Sequence, residues 1–230
     1  MVRNGKIWLS IIIPTLNEAE NIHNLLCYLR KLDSQAELIV ADGGSSDDTV
    51  KKVGSLARIV SAPLGRGAQM NAGARNASGE IFWFIHADCR PHPDSIPAMR
   101  SALTDTRIIG GGFRYSLDIS GFRFRLSETM SNLKNRVLKL LFGDMGIFIR
   151  RELFVKIGGY KEIPLMEDMD ICRRLKKMGR IVILPVVMET SARRWVEEGW
   201  AKNSIRSWLL QSAWALGASP TFLARWYRFK

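Results

Sequence analysis

The sequence predicts an α/β protein in which a mostly parallel sheet is flanked by helices, with a helical extension at the C-terminus. Two observations lead to this prediction. Short apolar runs bounded by turn residues alternate with helix-forming patterns up to Asp88. Strands that alternate with helices pair in parallel, because each crossover needs a helix. The runs are also apolar throughout, which is typical of strands buried on both faces.

Strands are predicted, in chain order, over residues 10–13, 38–40, 58–60 and 81–85. The helices between them are predicted to begin at Asn17, near Thr49 and at Ala68. Asn17 is expected to cap the first helix, because its side chain can accept from first-turn amides and Glu20 stands three residues later. The first three strands are thus each followed by a helix, as a parallel sheet requires.

The second half of the chain has a less regular pattern. Three successive glycines at 110–112 predict a strand with a bulge or a close backbone approach. Residues 121–139 predict a helix or loop with five basic residues and one acidic residue. Further strands are predicted at 147–149 and 181–184. A helix is predicted from Glu167 to Lys177, with Gly179 as its C-terminal stop.

The composition favours a single folded domain. Of the 230 residues, 47% are hydrophobic and 24% are charged, which excludes disordered, collagen-like and multi-span membrane proteins. The net charge of +12 suits a polyanionic partner, such as nucleic acid, anionic lipid or a phosphorylated substrate. Three cysteines exclude a disulfide scaffold and indicate a reducing compartment, so a cytoplasmic location is expected.

No transmembrane helix is predicted. The apolar run at 7–13 follows Arg3 and Lys6, as in a signal peptide, but no small-residue cleavage site follows it. The run is also too short to span a bilayer. The longest apolar stretch, 208–223, is interrupted by polar residues, glycine and proline.

Polar clusters follow three of the predicted strands, at residues 14–18, 42–48 and 86–88. In open parallel sheets, ligands bind at the carboxyl ends of the strands. We therefore expect these three clusters to meet at one edge of the sheet. Asp42 can accept from a ligand there, while an ordinary turn is the alternative. A dinucleotide-binding dehydrogenase is excluded, because the turn after the first strand contains no glycine.

His86 and Asp88 stand two residues apart at the end of a very apolar strand, so both side chains point the same way. Such a pair suits a divalent ion that keeps positions open for phosphate oxygens. A solvated turn is one alternative. A zinc site formed by His86, Cys89 and His92 is another, although it lacks a fourth ligand at standard spacing.

Two further groups have side chains suited to catalysis or anion binding. Glu167 and Asp168 begin a predicted helix, where either can act as a general base or both can cap the helix. The arginines could clamp a diphosphate, because guanidinium groups match phosphate oxygens, or they could be solvated surface residues. They are Arg66, Arg193 and Arg194.

Seven motifs in this order resemble the family 2 glycosyltransferases with a GT-A fold, a Rossmann-like mostly parallel sheet. The first four are Ser10-Ile-Ile-Ile-Pro-Thr-Leu-Asn-Glu, Val40-Ala-Asp-Gly-Gly-Ser-Ser-Asp-Asp-Thr, Gly65-Arg-Gly-Ala-Gln-Met-Asn-Ala-Gly-Ala-Arg and Ile85-His-Ala-Asp. The others are Gly143-Asp-Met-Gly-Ile-Phe-Ile-Arg-Arg, Met166-Glu-Asp-Met-Asp and Thr190-Ser-Ala-Arg-Arg-Trp. The likeness reaches about Gly199 and is strongest to a compact bacterial branch with His-Ala-Asp in place of Asp-x-Asp.

The resemblance implies an inverting enzyme that transfers a sugar from a nucleoside diphosphate, usually uridine diphosphate, to an acceptor that the sequence does not identify. Asp168, with Glu167, matches the catalytic base, and Asp88 matches the ligand of a Mg or Mn ion. Asp144, Arg194 and Trp195 are expected on the acceptor or diphosphate side. The expected nucleotide-binding residues are Pro14, Thr15, Asn17, Glu18, Asp42, Arg66, Asn71 and His86. His86 and Ser191 depart from the Asp-x-Asp and Gln-x-x-Arg-Trp motifs of the family.

The catalytic domain is expected over residues 1–199, with a basic, tryptophan-rich helical segment at 200–230 packed on it. That segment has four tryptophans, five basic residues and no acidic residue. Such a composition suits the surface of an anionic membrane and a lipid-linked acceptor, at the inner face of the cell membrane. The alternative is a helical pair that packs on the sheet, with a turn at 217–220 and with its apolar side chains buried. Those side chains are Trp208, Leu209, Leu216 and Leu223.

Two other classes of protein remain as alternatives. One is a nucleotide-binding or regulatory protein on the same fold without turnover. The other is a basic nucleic-acid-binding protein, which is less favoured because the positive charge is spread along the chain and acidic clusters occupy the expected cleft. No nucleic acid partner is therefore expected.

Overall fold

The computed structural model describes residues 7–227, over which an eight-stranded sheet is flanked by helices. The strand order across the sheet is β3-β2-β1-β4-β7-β6-β8-β5. The strands are β1 Leu9–Thr15, β2 Glu37–Asp42, β3 Arg58–Ser61, β4 Ile81–Phe84, β5 Cys89–Pro91, β6 Ile108–Leu117, β7 Phe148–Arg150 and β8 Arg180–Thr190. Residues 1–6 and 228–230 of the two expected segments lie outside this range, and the division at residue 200 stays a prediction.

The helices lie between the strands and after the last one. They are α1 Ile22–Leu32, α2 Thr49–Val53, α3 Arg66–Arg75, α4 Ser95–Ala102, α5 Phe122–Leu138, α6 Arg151–Lys156, α7 Glu167–Leu175, α8 Arg193–Glu198, α9 Trp200–Ala215 and α10 Pro220–Ala224. A short 3-10 turn, Gly143–Met145, precedes β7.

The predicted mostly parallel sheet is confirmed. The strands β3, β2, β1 and β4 pair in parallel in that order, and β6 pairs in parallel with β8. The strand β7 is antiparallel to both β4 and β6, and β5 is antiparallel to β8. The sequence predicted a turn where β5 lies, because this short strand is defined only by a partner about a hundred residues later.

The central strands are buried on both faces, as their apolar runs predicted. In β1, Ile11 and Ile13 pack into one hydrophobic cluster, and Ile12 packs into the cluster on the other face. In β4, Trp83 joins the first cluster and Phe82 the second. The polar residues that follow these strands lie at one edge of the sheet, because the strands run in parallel and end there.

The prediction that Asn17 caps the first helix is wrong. The helix α1 begins at Ile22, and Asn17 has a φ of 52°, which is the left-handed region. Its side chain accepts from the next loop, at the N–H of Ser46, instead of from first-turn amides. The loop between β1 and α1 is therefore longer than predicted and spans residues 16–21. These residues border the site described below.

The glycines of β6 allow close backbone approach, as predicted. The register of β6 against β8 shifts between Ile108 and Gly110. A Cβ atom at Gly111 would overlap the carbonyl oxygen of Val182 and lie 2.8 Å from the ring of Phe148. The strand therefore packs between β7 and β8 at a distance that a larger residue would not permit.

The C-terminal helices form as predicted, but most of the apolar residues expected to pack on the sheet do not. Leu223 is buried, with Leu210 and Leu165, in a small cluster of its own. Trp208, Leu209 and Leu216 are exposed, so this part of the prediction is wrong. Within residues 7–227 we find no helix with the length and apolar character that crossing a bilayer demands.

The packing of β6 can be tested with Gly111→Ala. We expect this variant to lose about 2–3 kcal/mol of unfolding free energy, because overpacking against a backbone carbonyl cannot be relieved by a rotamer change. Gly158→Ala is the matched control, since a Cβ there meets open space and only its φ of 76° opposes the change. We expect a loss of about 1–2 kcal/mol for the control. Equal losses in urea denaturation would contradict the close approach.

Candidate active site

The loops that follow β1 and β2 are fastened to each other. The N–H of Asn17 donates to Oγ of Ser45 at 2.9 Å, and the N–H of Ser46 donates to Oδ1 of Asn17 at 2.8 Å. The N–H of Glu18 donates to Oγ1 of Thr49 at 2.8 Å. Asn17 and Glu18 therefore shape one continuous rim at the carboxyl edge of the sheet, and contact of their side chains with a nucleotide stays a prediction.

Asp42 and Thr15 face each other across β1 and β2, and both side chains serve their own strands and turns. Oδ2 of Asp42 accepts from the N–H groups of Gly44 and Ser45, each at 3.0 Å. Oγ1 of Thr15 donates to the carbonyl of Ile13 at 3.1 Å and is buried. Thr15 and its neighbour Pro14 are both buried, and contact of either residue with a nucleotide stays a prediction.

Gln69 is a site residue that the sequence analysis did not select. From α3 its Nε2 donates to the carbonyl of Thr15 at 2.7 Å and to that of Ala41 at 3.2 Å. The side chain thus joins the ends of β1 and β2. One indication of this role was present in the sequence, because Gln69 stands among glycines and alanines near the start of the helix predicted from Ala68.

Asn71 was expected to bind nucleotide, and the structure places it elsewhere. Its Nδ2 donates to the carbonyl of Tyr160 at 2.9 Å, and its Oδ1 accepts from the N–H of Tyr160 at 2.9 Å. Both polar atoms are therefore engaged in holding the backbone before α7. This pairing gives the amide a structural role that the sequence did not reveal, and contact of Asn71 with a nucleotide stays a prediction.

Asp168 and His86 meet at Gly143. The N–H of Gly143 donates to Oδ2 of Asp168 at 2.8 Å. Oδ1 of Asp168 and Nε2 of His86 are buried and have no hydrogen-bond partner among the residues described. A Cβ at Gly143 would overlap the His86 ring, so only glycine fits between the two side chains. Buried polar atoms without partners are rare and require an explanation, such as a place for ligand atoms.

The electrostatic environment keeps Asp168 protonated in the free protein. Burial and then the neighbouring charge of Glu167 raise the pKa of Asp168 to about 8. The guanidinium of Arg66, which lies 3.9 Å from Glu167, opposes this increase. At His86, burial and then the charge of Arg66 lower the pKa to about 4, so the imidazole is neutral at pH 7.

The carboxyl groups of Glu18, Asp88 and Asp144 lie close enough to influence one another. Burial and then the charge of Asp88 raise the pKa of Asp144 to about 6. Burial also raises the pKa of Glu18, and the charge of Asp88 raises it further. Asp88 therefore lies near both Glu18 and Asp144, as the predicted convergence of the loops requires.

Arginines face these carboxyl groups. Arg193, at the start of α8, lies 3.8 Å from Oε1 of Glu18. The pKa of Arg194 is lowered by burial and then by the nearby guanidinium of Arg66. Two like charges at close range favour an anion between them. Trp195 follows and packs against the apolar cluster on that side of the sheet, so contact of its ring with an acceptor stays a prediction.

The donor set fits a hard divalent ion better than zinc. Among the residues from 7 to 227, no three His, Cys, Asp or Glu side chains are grouped as metal ligands. In the zinc alternative, Cys89 Sγ instead lies 3.1 Å from Oγ1 of Thr190, and His92 faces Asp94. Asp88, with Asp144 near it, suits an ion held by one or two carboxylates, phosphate oxygens and water.

The arrangement has the parts that group transfer from a diphosphate needs. The arginines and a cation at Asp88 would stabilise a departing diphosphate. Asp168 has one oxygen fixed by Gly143 and the other free to take a proton. Glu167, buried at the start of α7, holds Arg66 toward the same place.

Comparisons with known proteins identify the family and the fold. A family model described as "Glycosyl transferase family 2" matches residues 10–160. An undecaprenyl-phosphate 4-deoxy-4-formamido-L-arabinose transferase of Sodalis glossinidius is 24% identical over 201 residues, which cover 82% of this chain and 57% of the relative. The chain thus spans little more than half the length of this relative.

Two solved structures resemble the fold. A mannosyltransferase from Pyrobaculum calidifontis, in complex with GDP-Man and Mn2+, has a TM-score of 0.64 and 21% identity, over 80% of this chain and 56% of that one. A glucosyl-3-phosphoglycerate synthase from Mycobacterium tuberculosis, in complex with Mn2+, UDP and glucosyl-3-phosphoglycerate, has a TM-score of 0.58 and 25% identity, over 80% of this chain and 71% of that one. The expected GT-A fold is confirmed.

The buried carboxyl of Asp168 predicts a specific dependence of stability on pH. Its pKa rises from 3.8 to about 8 on folding, so the stability it contributes is complete below pH 3.8 and is lost as pH rises through 8. His86 opposes this only below its ordinary pKa of 6.5. Between pH 6.5 and 8, with a chelator present, we expect wild type to lose on the order of 1 kcal/mol more than Asp168→Asn in urea denaturation. Equal losses would contradict the raised pKa.

Proposed function

The chain belongs to glycosyl transferase family 2, and we propose that it is an inverting enzyme that transfers a sugar from a nucleoside diphosphate to an acceptor hydroxyl. The observation that carries this proposal is the meeting of carboxyl groups and arginines at the carboxyl edge of β1 and β4. A site that only bound a nucleotide would not require a buried, proton-accepting carboxyl such as Asp168 beside it.

We assign the proton transfer to Oδ1 of Asp168. This atom is buried and has no hydrogen-bond partner within the described part of the chain, while Oδ2 is held by the N–H of Gly143. The ionised carboxyl would accept the proton of the acceptor hydroxyl as that oxygen attacks the anomeric carbon from the face opposite the diphosphate. A cation bound nearby favours the ionised form, because it offsets the neighbouring charges that raise the pKa of Asp168.

Arg66 and Arg194 are assigned to the diphosphate. Burial and then the charge of Arg66 lower the pKa of Arg194. An anion between the two guanidinium groups would relieve their repulsion. A Mg or Mn ion at Asp88 would supply further neutralisation of the leaving diphosphate. The Mn2+ in both solved neighbours supports this cofactor. We favour a uridine nucleotide as donor, since UDP occupies the second neighbour.

We favour an acceptor hydroxyl that is carried on a lipid, because an ionised lipid phosphate has no hydroxyl proton for Asp168 to accept. The relative from Sodalis glossinidius is described as acting on undecaprenyl phosphate. The tryptophan-rich, basic segment that follows residue 199 suits contact with an anionic membrane. We therefore propose peripheral attachment at the cytoplasmic face of the membrane.

Turnover with a panel of sugar nucleotides separates an enzyme from a protein that only binds nucleotide. We expect release of nucleoside diphosphate from at least one UDP-sugar in the presence of Mn or Mg, and its loss when the ion is chelated. Nucleotide binding by calorimetry without release from any donor, with lipid phosphates and sugars tested as acceptors, would support the non-catalytic alternative.

The role of Asp168 is tested by Asp168→Asn. Asparagine can still accept from Gly143 but cannot take a proton, so we expect transfer to fall by about 10²–10⁴-fold while the nucleotide Kd changes less than about threefold. Asp94→Asn, at an exposed carboxyl whose Oδ2 lies 3.6 Å from Nδ1 of His92, is the matched control and should retain full activity. Near-normal turnover of Asp168→Asn would remove this residue from the catalytic role.

A further inference from the structure

The helix α5 places its polar side chains inward and its apolar side chains outward. Glu128 and Asn135 are buried, whereas Phe122 is 82% exposed, Leu133 63% and Val137 69%. The exposed apolar residues recur at spacings of three and four, so they form one stripe along the helix. The stripe consists of Phe122, Leu126, Met130, Leu133 and Val137. A stripe of this length on a water-soluble surface marks a contact site.

Specific hydrogen bonds fix the helix in this orientation. Oε1 of Glu128 accepts from the N–H of Leu117 at 2.7 Å. The amide of Asn132 pairs with both backbone groups of Tyr115, at 2.9 and 2.8 Å. The helix cannot rotate to bury its apolar stripe without breaking these bonds to β6 and leaving buried polar groups unpaired. The outward stripe is therefore built into the fold.

The neighbouring helix α9 extends the apolar surface. Nζ of Lys134 donates to Oε1 of Gln211 at 2.6 Å, and Nε1 of Trp200 donates to Oγ of Ser127 at 2.7 Å, so the two helices lie side by side. The exposed apolar side chains of α9 are Ile205, Trp208 and Leu209. Together with the stripe on α5 they form what we term the α5–α9 face.

The charges around this face identify its partner. Residues 121–139 contain five basic residues and one acidic residue, and α9 contains two basic residues, Lys202 and Arg206, and no acidic residue. The one acidic residue, Glu128, is paired with Arg125 at 2.8 Å. Two copies of the chain, each with a net charge of +12, would bring like charges together across such a face. An anionic bilayer accepts both the apolar stripe and its basic border.

We propose that the α5–α9 face docks on an anionic lipid bilayer, with both helices parallel to its surface and the apolar stripe in the interfacial region. This inference rests on the membrane attachment proposed above and assigns it to α5, which the sequence did not connect with lipid. It also places the membrane near the site, because Nδ2 of Asn135 on α5 lies 3.4 Å from Sδ of Met145, in the 3-10 turn that contains Gly143. A lipid-borne acceptor would then meet the protein beside its catalytic residues.

Vesicle co-sedimentation without nucleotide tests the proposal. We expect wild type to bind vesicles of three parts phosphatidylcholine to one part phosphatidylglycerol, and to lose binding with rising salt or with phosphatidylcholine alone. The double variant Leu126→Asp/Leu133→Asp should bind at least about tenfold more weakly. The matched control is Leu64→Asp/Val155→Asp, which adds the same charge at residues 72% and 66% exposed elsewhere. Circular dichroism and nucleotide affinity check that both variants are folded.

Three outcomes would overturn the proposal. Wild type could fail to bind anionic vesicles, or the control variant could lose binding as fully as the double variant. The α5–α9 face could also mediate self-association, shown by a dimer in light scattering that the double variant abolishes. None of these outcomes bears on the proposed sugar transfer, because vesicle binding is measured without turnover. An inactive protein that still docks would refute only the proposed transfer.

Discussion

Enclosure of the Asp168 carboxyl group is the constraint on which the rest of the site depends. It has lost most of its hydration and receives one hydrogen bond, from Gly143, in return. Residues around it must therefore offset its charge or keep it protonated. Arg66 does the first and Glu167 the second, so small changes in the surrounding charges decide its ionisation. Met166, just before α7, has a left-handed φ of 69°, and such strain is common near functional residues.

Residues expected to contact the nucleotide mostly organise the loops that would do so. Asn17 and Asp42 are engaged with neighbouring backbone groups, as is Gln69, which the sequence analysis did not select. These bonds fix the rim of the site before a ligand arrives, which lowers the conformational entropy lost on binding. The charged groups, in contrast, are left under-compensated around Asp88 and Arg194. A rigid rim around unbalanced charge is an arrangement that favours a charged ligand over water.

The helix α5 links the catalytic centre to the outer surface. Its inward residues hold β6 and, through Nδ2 of Asn135 at 3.4 Å from Sδ of Met145, the 3-10 turn that contains Gly143. The same orientation forces the apolar residues outward. The arrangement of the site and the exposed stripe are therefore two consequences of one set of hydrogen bonds. Docking on a bilayer would stabilise the outer side of a helix whose inner side holds the site.

The sequence by itself determined the parallel core of the fold and the place of the site. Continuous apolar runs of strand length predicted β1, β2 and β4, because strands buried on both faces are apolar throughout. The edge strand β3 was predicted from a shorter apolar run, and most of its residues are exposed. The meeting of the loops that carry Glu18 and Asp88 followed from the rule that parallel strands end at one edge. These features depend on local pattern and chain direction, which a linear sequence records.

Only the tertiary structure decided the rest. The short strand β5, the reversed direction of β7, and the engagement of Asn71 and Thr15 depend on partners far along the chain or on backbone groups that look alike in every sequence. The orientation of α5 is the clearest case. Its periodicity shows that one face is apolar, but hydrogen bonds to β6 turn that face outward, against the usual preference for burying it.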